Sequence, residues 1–474
     1  MNKIYKVIYS KVRNCYVVVS ELAKNNGKGT SRGAVVGNRK GTSLLAAVLA
    51  AGVMAFGALP GIAAAADPAI VTDAKGNIVS TDATIKDEIS EDPGKFPQGG
   101  GQSIAIGKGA TAFMQGGWKA SFMLFGGKKA TGSIAIGENA EALSQGIAIG
   151  NRIYTGELGD VTISSYENKE GGAGVGAVLL GNNSYTGGTL STLMGDYSIM
   201  STSYPSGNSS AYMQNAGAVS IGALNSIESA TSSSSVSGVA NSIVGLANRT
   251  QNANGALIYG AGNEITDSIA TASAPDSASS AKQAAATLRE SVKNSPGGAV
   301  LAIGGGNKID KSIRTQTMGV NNEVTGSLYH EDAKYVEFLG HKLQISPEVN
   351  EYSSQYNMVD GYNNKVSNTN NAYVIGTNNT ILGKTFSADT KDGTLSKADR
   401  IKAKESDNLV IIGDNHTMGK DVKNNIAIGS ADKVLTTKVS NAVLLGHNAD
   451  VQKDGGVALG DSSVATTDKG AVGY

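Results

Sequence analysis

The sequence predicts an all-β protein, a parallel β-solenoid with coils of about 14 residues. Three observations carry that expectation. A five-residue motif, Ser103-Ile104-Ala105-Ile106-Gly107, returns along the chain. Its returns keep a short period. A second motif, rich in Asn and Gly, follows many of the copies.

The first motif recurs as Ser133 to Gly137 (SIAIG), Gly146 to Gly150 (GIAIG) and Asn425 to Gly429 (NIAIG). Looser copies include Ala177 to Gly181 (AVLLG), Ala372 to Gly376 (AYVIG), Ala442 to Gly446 (AVLLG) and Gly456 to Gly460 (GVALG). Closing glycines 137 and 150 are 13 apart, 245 and 260 are 15 apart, and 429 and 446 are 17 apart. A short repeat of this kind marks a stacked array, because one unit cannot bury its own apolar face.

Within a unit the two branched residues lie two apart and share one face of a strand. That assigns Ile104, Ile106, Ile134, Ile136, Ile147, Ile149, Ile426 and Ile428 to the coil core. Gly107, Gly137, Gly150, Gly376 and Gly429 then permit the turns. The residue between the branched pair points the other way, and it is often small, as in Ala105, Ala135 and Ala427. In several coils it is apolar: Leu179, Ile243, Ile258, Val374, Ile411 and Leu444. A second apolar face needs a partner, so a cyclic homo-oligomer is expected. The second motif appears as Gly262-Asn263-Glu264-Ile265, Gly306-Asn307-Lys308-Ile309 and Asn364-Lys365-Val366. Asn suits a corner because it tolerates the left-handed conformation and bonds locally.

Residues 1–66 read as a targeting segment. Lys3, Lys6, Lys11, Arg13, Lys24, Lys28, Arg32, Arg39 and Lys40 precede an apolar run from Leu44 to Leu59. Ala64-Ala65-Ala66 then offers a small-residue cleavage site before Asp67. The alternative is an N-terminal membrane anchor, for which an apolar run of about 15 residues is short. Cys15, the only cysteine, lies in this segment, so a cleaved chain would have neither disulfide nor thiol.

The opening MNKIYKVIYSKVRNCYVVVSELAKNNGKG resembles the extended signal peptide region of type V autotransporters. The x-I-A-I-G coils resemble the YadA-like head repeats of trimeric autotransporter adhesins. That resemblance implies a left-handed parallel β-roll, a homotrimer, and exposure at the bacterial outer membrane or cell surface. The final Gly470-Ala471-Val472-Gly473-Tyr474 looks like the start of the family's neck. The family's coiled-coil stalk and membrane β-barrel are not recognisable, so a fragment or incomplete sequence is expected.

Residues 67–100 read as a polar leader and 101–474 as the head, interrupted near 263–298, 327–358 and 384–407. Between Pro275 and Pro296, strong helix formers suggest a short helix or a mobile loop. Val336/Phe338 and Leu343/Ile345 around Leu339-Gly340-His341 suggest a hairpin. Residues 384–407, rich in Lys and Asp, read as a solvated excursion. Trp118 and Phe122 mark either a degenerate coil or an aromatic contact site at the tip farthest from the cell. Tyr329, Tyr335, Phe338 and Tyr352 are further candidate ligand contacts, since Tyr gives contact area at low entropy cost.

No catalytic constellation emerges. His330, His341, His416 and His447 lack metal-ligand spacing. The run Gly171 to Gly176 has no βαβ unit around it, so a dinucleotide loop is not expected. No cofactor or metal is expected. A balance of 40 basic and 40 acidic residues offers no electrostatic footprint for nucleic acid. Two function classes remain. One is a non-enzymatic adhesin head that binds host matrix, a cell-surface protein or glycan, or other bacteria through many weak contacts. The other is a polysaccharide-acting β-solenoid enzyme, which would need charged residues from adjacent coils converging in a groove.

Overall fold

Alternating branched and small residues keep each copy of the motif extended for three to six residues, and the closing glycine then turns the chain. In the computed structural model these strands stack in parallel. It describes residues 5–10, 15–20, 70–72, 78–80, 82–86, 103–113, 132–142, 146–151, 176–188, 190–202, 215–229, 237–268, 281–294, 300–331, 334–338, 341–346, 349–387 and 393–468. The chain divides into two units, Met1–Ala65 and Ala66–Tyr474. In the first, Tyr5–Ser10 pairs antiparallel with Cys15–Ser20. Everything below concerns the second.

Two parallel ladders run along the second unit. The first has 18 strands, from Ile70–Thr72 to Val457–Leu459. Only its first pairing, Ile70–Thr72 with Ile78–Ser80, is antiparallel. Each later strand pairs with the coil before it and the coil after it, as Leu257–Ala261 does with Ser242–Leu246 and Leu301–Gly305. The second ladder has a continuous run of 11 strands, from Tyr185–Thr186 to Leu435–Thr437. The chain alternates between the ladders, one strand of each per coil. This is a β-solenoid, and its axial rise is about 4.8 Å per coil.

The inside of the coil is the reverse of the face expected from the sequence. The middle residue of each motif is the buried one: Ala105 and Ala135 are 0% exposed and Leu444 is 1% exposed. Leu179, Ile243, Ile258, Val374 and Ile411 are buried with them. The residues expected to form the core, Ile104, Ile106, Ile134, Ile136 and Ile147, are only half-buried. Ile149, Ile426 and Ile428 are exposed, Ile428 at 42%. The reason is steric. The lumen lies between two closely spaced sheets, and the facing column of the second ladder already supplies Met200, Ile227, Ile265, Ile309, Val324, Ile381 and Met418. Small or single branched residues opposite them fill the space, and an Ile pair would overpack it.

A ladder of buried asparagines runs through the stack: Asn225, Asn248, Asn263, Asn307, Asn322, Asn364 and Asn379. Each accepts on Oδ1 from the backbone N–H of the next, as Asn322 does from Asn364 at 3.2 Å. Each donates through Nδ2 to the closing glycine of the following coil, as Asn322 does to Gly361 O at 2.9 Å. His416 takes the next place, with its N–H on Asn379 Oδ1 and Nε2 2.6 Å from Gly429 O. The left-handed corner expected at these asparagines falls one residue earlier, at Gly262 (φ 66°), Asn321 (φ 56°) and Asn363 (φ 54°). Most of their partners lie in neighbouring coils, so these side chains chiefly bind coil to coil, although Asn225, Asn307 and Asn322 also donate to the carbonyl four residues back.

The interruptions leave the ladders and return to them. Glu264–Thr266 still pairs with Lys308–Asp310, so the first interruption begins after that strand. It contains the helix Ala281–Asn294. The second is a hairpin: Leu328–Glu331 pairs with Val349–Tyr352, and Lys334–Phe338 pairs with His341–Ser346. In its described parts, 384–387 and 393–407, the third interruption is not a solvated excursion. Leu328 N–H donates to Gly393 O, and Leu395 N–H donates to Leu328 O, so this segment adds to the base of the hairpin. Its Lys384, Leu395, Asp399, Ala403 and Asp407 are buried, and Lys384 Nζ lies 2.5 Å from Asp407 Oδ2.

Candidate ligand-binding site

Where the hairpin base, the returning segment and the coils meet, a cavity of about 420 Å³ opens. Glu351, on the last hairpin strand, anchors it. Arg400 Nε and Nη2 donate to the two Glu351 oxygens at 2.5 and 2.7 Å, and Lys404 Nζ lies 2.5 Å from Oε1. The short helix Arg400–Lys404 brings both cations to one carboxylate. Hydrogen bonding from Arg400, reinforced by Lys404 against the opposing effect of burial, holds the Glu351 carboxyl down at about 2. Arg400 also lies 4.6 Å over the ring of Tyr329.

That arrangement sets a pH dependence. The Glu351 pKa is lower folded than unfolded, so its contribution is complete above about 4.5. It is lost as the pH falls from there toward about 2. With solvent screening the loss is on the order of 1–2 kcal/mol. Amide protection in Leu328–Glu331 and Val349–Tyr352, taken relative to intrinsic exchange at each pH, is expected to fall over that window by more than it does in Glu351→Gln. Equal pH profiles in the two proteins would refute this assignment.

The opposite wall is a corner column of the solenoid. Tyr356 N–H donates to Ile313 O and Asn371 N–H donates to Gln355 O, so Arg314, Tyr356 and Asn371 stack in successive coils. All three hold a left-handed backbone, at φ 50°, 57° and 61°. The next coils place Asn408, Asn424 and Asn441 at this corner, also left-handed. Asn adopts that conformation readily, whereas for bulky residues such as Arg and Tyr it is strained, by on the order of 1 kcal/mol each. Arg314 Nη1 donates to Tyr356 Oη at 2.5 Å, and the guanidinium lies 5.0 Å from the Tyr356 ring centroid. No carboxylate pairs with Arg314 among the described residues.

The aromatic contacts expected from the sequence are separated by this geometry. Tyr352 lines the cavity but is 2% exposed and packs as core. Tyr329 stacks under Arg400, and its hydroxyl donates to Glu331 at 3.0 Å, so it positions the anchor. Tyr335 and Phe338 lie on the outer hairpin strand Lys334–Phe338, where the backbone but not these two side chains is described. Trp118 and Phe122 lie outside the described residues. Sequence reasoning missed Arg314, noted Tyr356 only as part of the Tyr-rich interruption, and missed Glu351. The signal for the first two was present: they replace Asn at a corner where Asn recurs. Among the described residues no group of His, Cys, Asp and Glu is arranged to hold a metal ion. Among them no helix is long and apolar enough to cross a membrane.

The fold and cavity together define a solenoid scaffold that presents a polar pocket at the base of an inserted hairpin. Residues 1–50 match the family described as the extended signal peptide of the type V secretion system. The chain thus carries the signal for export across the inner membrane by that system, which supports an autotransporter. No curated protein matches the chain.

Proposed function

We propose that the chain is the YadA-like head of a trimeric adhesin. In this reading it works at the bacterial cell surface without enzymatic activity, attaching to host matrix, host cells or other bacteria. One observation carries the reading: the outward sides of the two ladders differ. Along the second ladder the register brings Arg249, Glu264, Lys308, Glu323 and Lys365 into one column of alternating charge. Along the first, the outward columns hold Ile149, Ile221, Leu257, Tyr259, Ile375, Ile412, Ile428 and Leu459, with Tyr259 at 65% and Leu459 at 73% exposed. An apolar face continuous over many coils, beside a solvated one, calls for a cover of matching repeat. Further copies of the same chain supply that repeat. The partnered face is therefore the flanking Ile columns. The middle-residue set of Leu179, Ile243 and Leu444 is dry inside its own chain.

Rigid coils and multiple copies would make attachment polyvalent, turning weak single contacts into strong adhesion. The cavity argues against a glycoside hydrolase, one form of the polysaccharide-acting alternative. Glu351 is its single lining carboxylate among the described residues, and two cations keep it ionised. Glycoside hydrolysis ordinarily requires a carboxylate pair, one of them protonated. The test is the mass of the exported chain in dilute solution. Three chains per particle are expected, and Ile412→Asp with Ile428→Asp should give single chains and end cell attachment. A wild-type protein that is a single chain at micromolar concentration would overturn the trimer. Unchanged attachment by cells lacking the protein would overturn the adhesin.

A further inference from the structure

We infer that the cavity beneath the hairpin binds an acidic saccharide, with Arg314 pairing the sugar carboxylate and the Tyr356 ring stacking on the sugar. This rests on the adhesin reading and names a ligand class for it. Three features support it independently. Charge is the first. Arg314 and Lys404 line the cavity with a single carboxylate, Glu351, which Arg400 and Lys404 already neutralise and which leaves Arg314 without an acidic partner, in a chain whose overall charge is balanced. The surplus positive charge selects an anion, and the guanidinium fork, with one of its five N–H donors spent on Tyr356, suits a carboxylate.

The second feature is the lining. Asn350, Gln355, Asn371 and Ser406 bring amides and a hydroxyl to the walls, oriented by bonds of Gln355 Nε2 to Tyr352 O, Asn371 Nδ2 to Ser406 Oγ and Asn350 Oδ1 to His330, and Tyr356 is 49% exposed. Amides that donate and accept, beside an aromatic face, match the alternating hydroxyls and C–H face of a pyranose. The third feature is strain. Arg and Tyr occupy two consecutive left-handed corners where later coils carry Asn, so stability is given up at the cavity wall. A short acidic peptide would use the same charge but not the stacking face, and the test separates the two.

The experiment measures binding to the exported full-length protein by calorimetry. The probes are sialyllactose, a glucuronate-containing disaccharide, lactose and a tetraglutamate peptide. At least one acidic sugar is expected to bind tenfold or more tightly than lactose, and to weaken as salt is raised. Arg314→Asn should lose that preference with an unchanged or higher Tm, since it restores the residue the corner carries elsewhere. Tyr356→Asn should weaken both acidic and neutral sugars. The inference is overturned if neither acidic sugar is preferred over lactose, if Arg314→Asn binds like wild type, or if only the peptide binds. Attachment of whole cells, measured in parallel, keeps the two readings apart. If Arg314→Asn cells attach normally, the pocket assignment fails while the adhesin reading stands.

Discussion

Gly376→Ala is expected to be among the most damaging single changes in the chain, abolishing the local stack rather than weakening it. Gly376 sits at φ 139°, and a Cβ placed there would stand 1.9 Å from the carbonyl oxygen of Gly413 in the next coil. The obstacle is backbone, so no rotamer change relieves it. Moving Gly413 aside would break its own N–H bond to Ile375 O, at 2.9 Å, and open the ladder on both sides. Ala in this conformation is strained as well. The two effects together are expected to cost about 4 kcal/mol or more. Thermal unfolding should show the transition lowered or split, with the coils around Ala372–Thr377 released first. A variant that melts like wild type would refute the close approach between coils.

Asn322→Ala is expected to cost about 2–4 kcal/mol, because it strands buried groups in two coils. The Asn322 side chain accepts from Asn364 N–H and Nδ2, at 3.2 and 2.9 Å. It donates to Gly361 O at 2.9 Å and Met318 O at 3.0 Å. After truncation the Asn364 N–H has no water within reach, since Asn364 is fully buried, and the half-buried Gly361 loses the donor to its carbonyl. Asn322→Asp should be comparably destabilising, as it replaces the donor with a buried charge. Denaturant melts of the two variants, compared with an exposed control such as Lys433→Ala, would check this. Losses no larger than the control's would mean the ladder carries no net stability.

The repeat was legible in the sequence because each unit carries its own punctuation: an alternating triplet, a glycine, then an Asn or Gly corner. The hairpin was legible too, through Val336/Phe338 and Leu343/Ile345 around their turn. The parity of the strand was not. Ile104 and Ile106 outweigh Ala105 in apolar surface, so hydrophobicity alone sends the pair inward. The width of the lumen decides otherwise, and width depends on the facing column, which hydrophobic alternation does not reveal. The asparagines were read as local corner formers, although the bonds that join coils run to residues 12 to 44 positions away, as Asn307 to Asn263 and Asn263 to Asn248 show, and only a minority reach the carbonyl four residues back, as in Asn322 to Met318 O. The cavity was harder still, because Arg314, Glu351 and Lys404 come from separate parts of the chain and meet only once residues 384–407 fold back.

The asparagine column also bears on how the protein meets tension. Each coil is bonded to the coil before and the coil after, and to little else within its own chain. A pull along the chain therefore loads one seam at a time instead of the whole body. Each yielding coil pays out about 14 residues, roughly 50 Å of slack. The stack can lengthen in small steps and rewind when the load falls, so on the adhesin reading a cell held by it in flow would be tethered by a spooled line rather than a brittle strut.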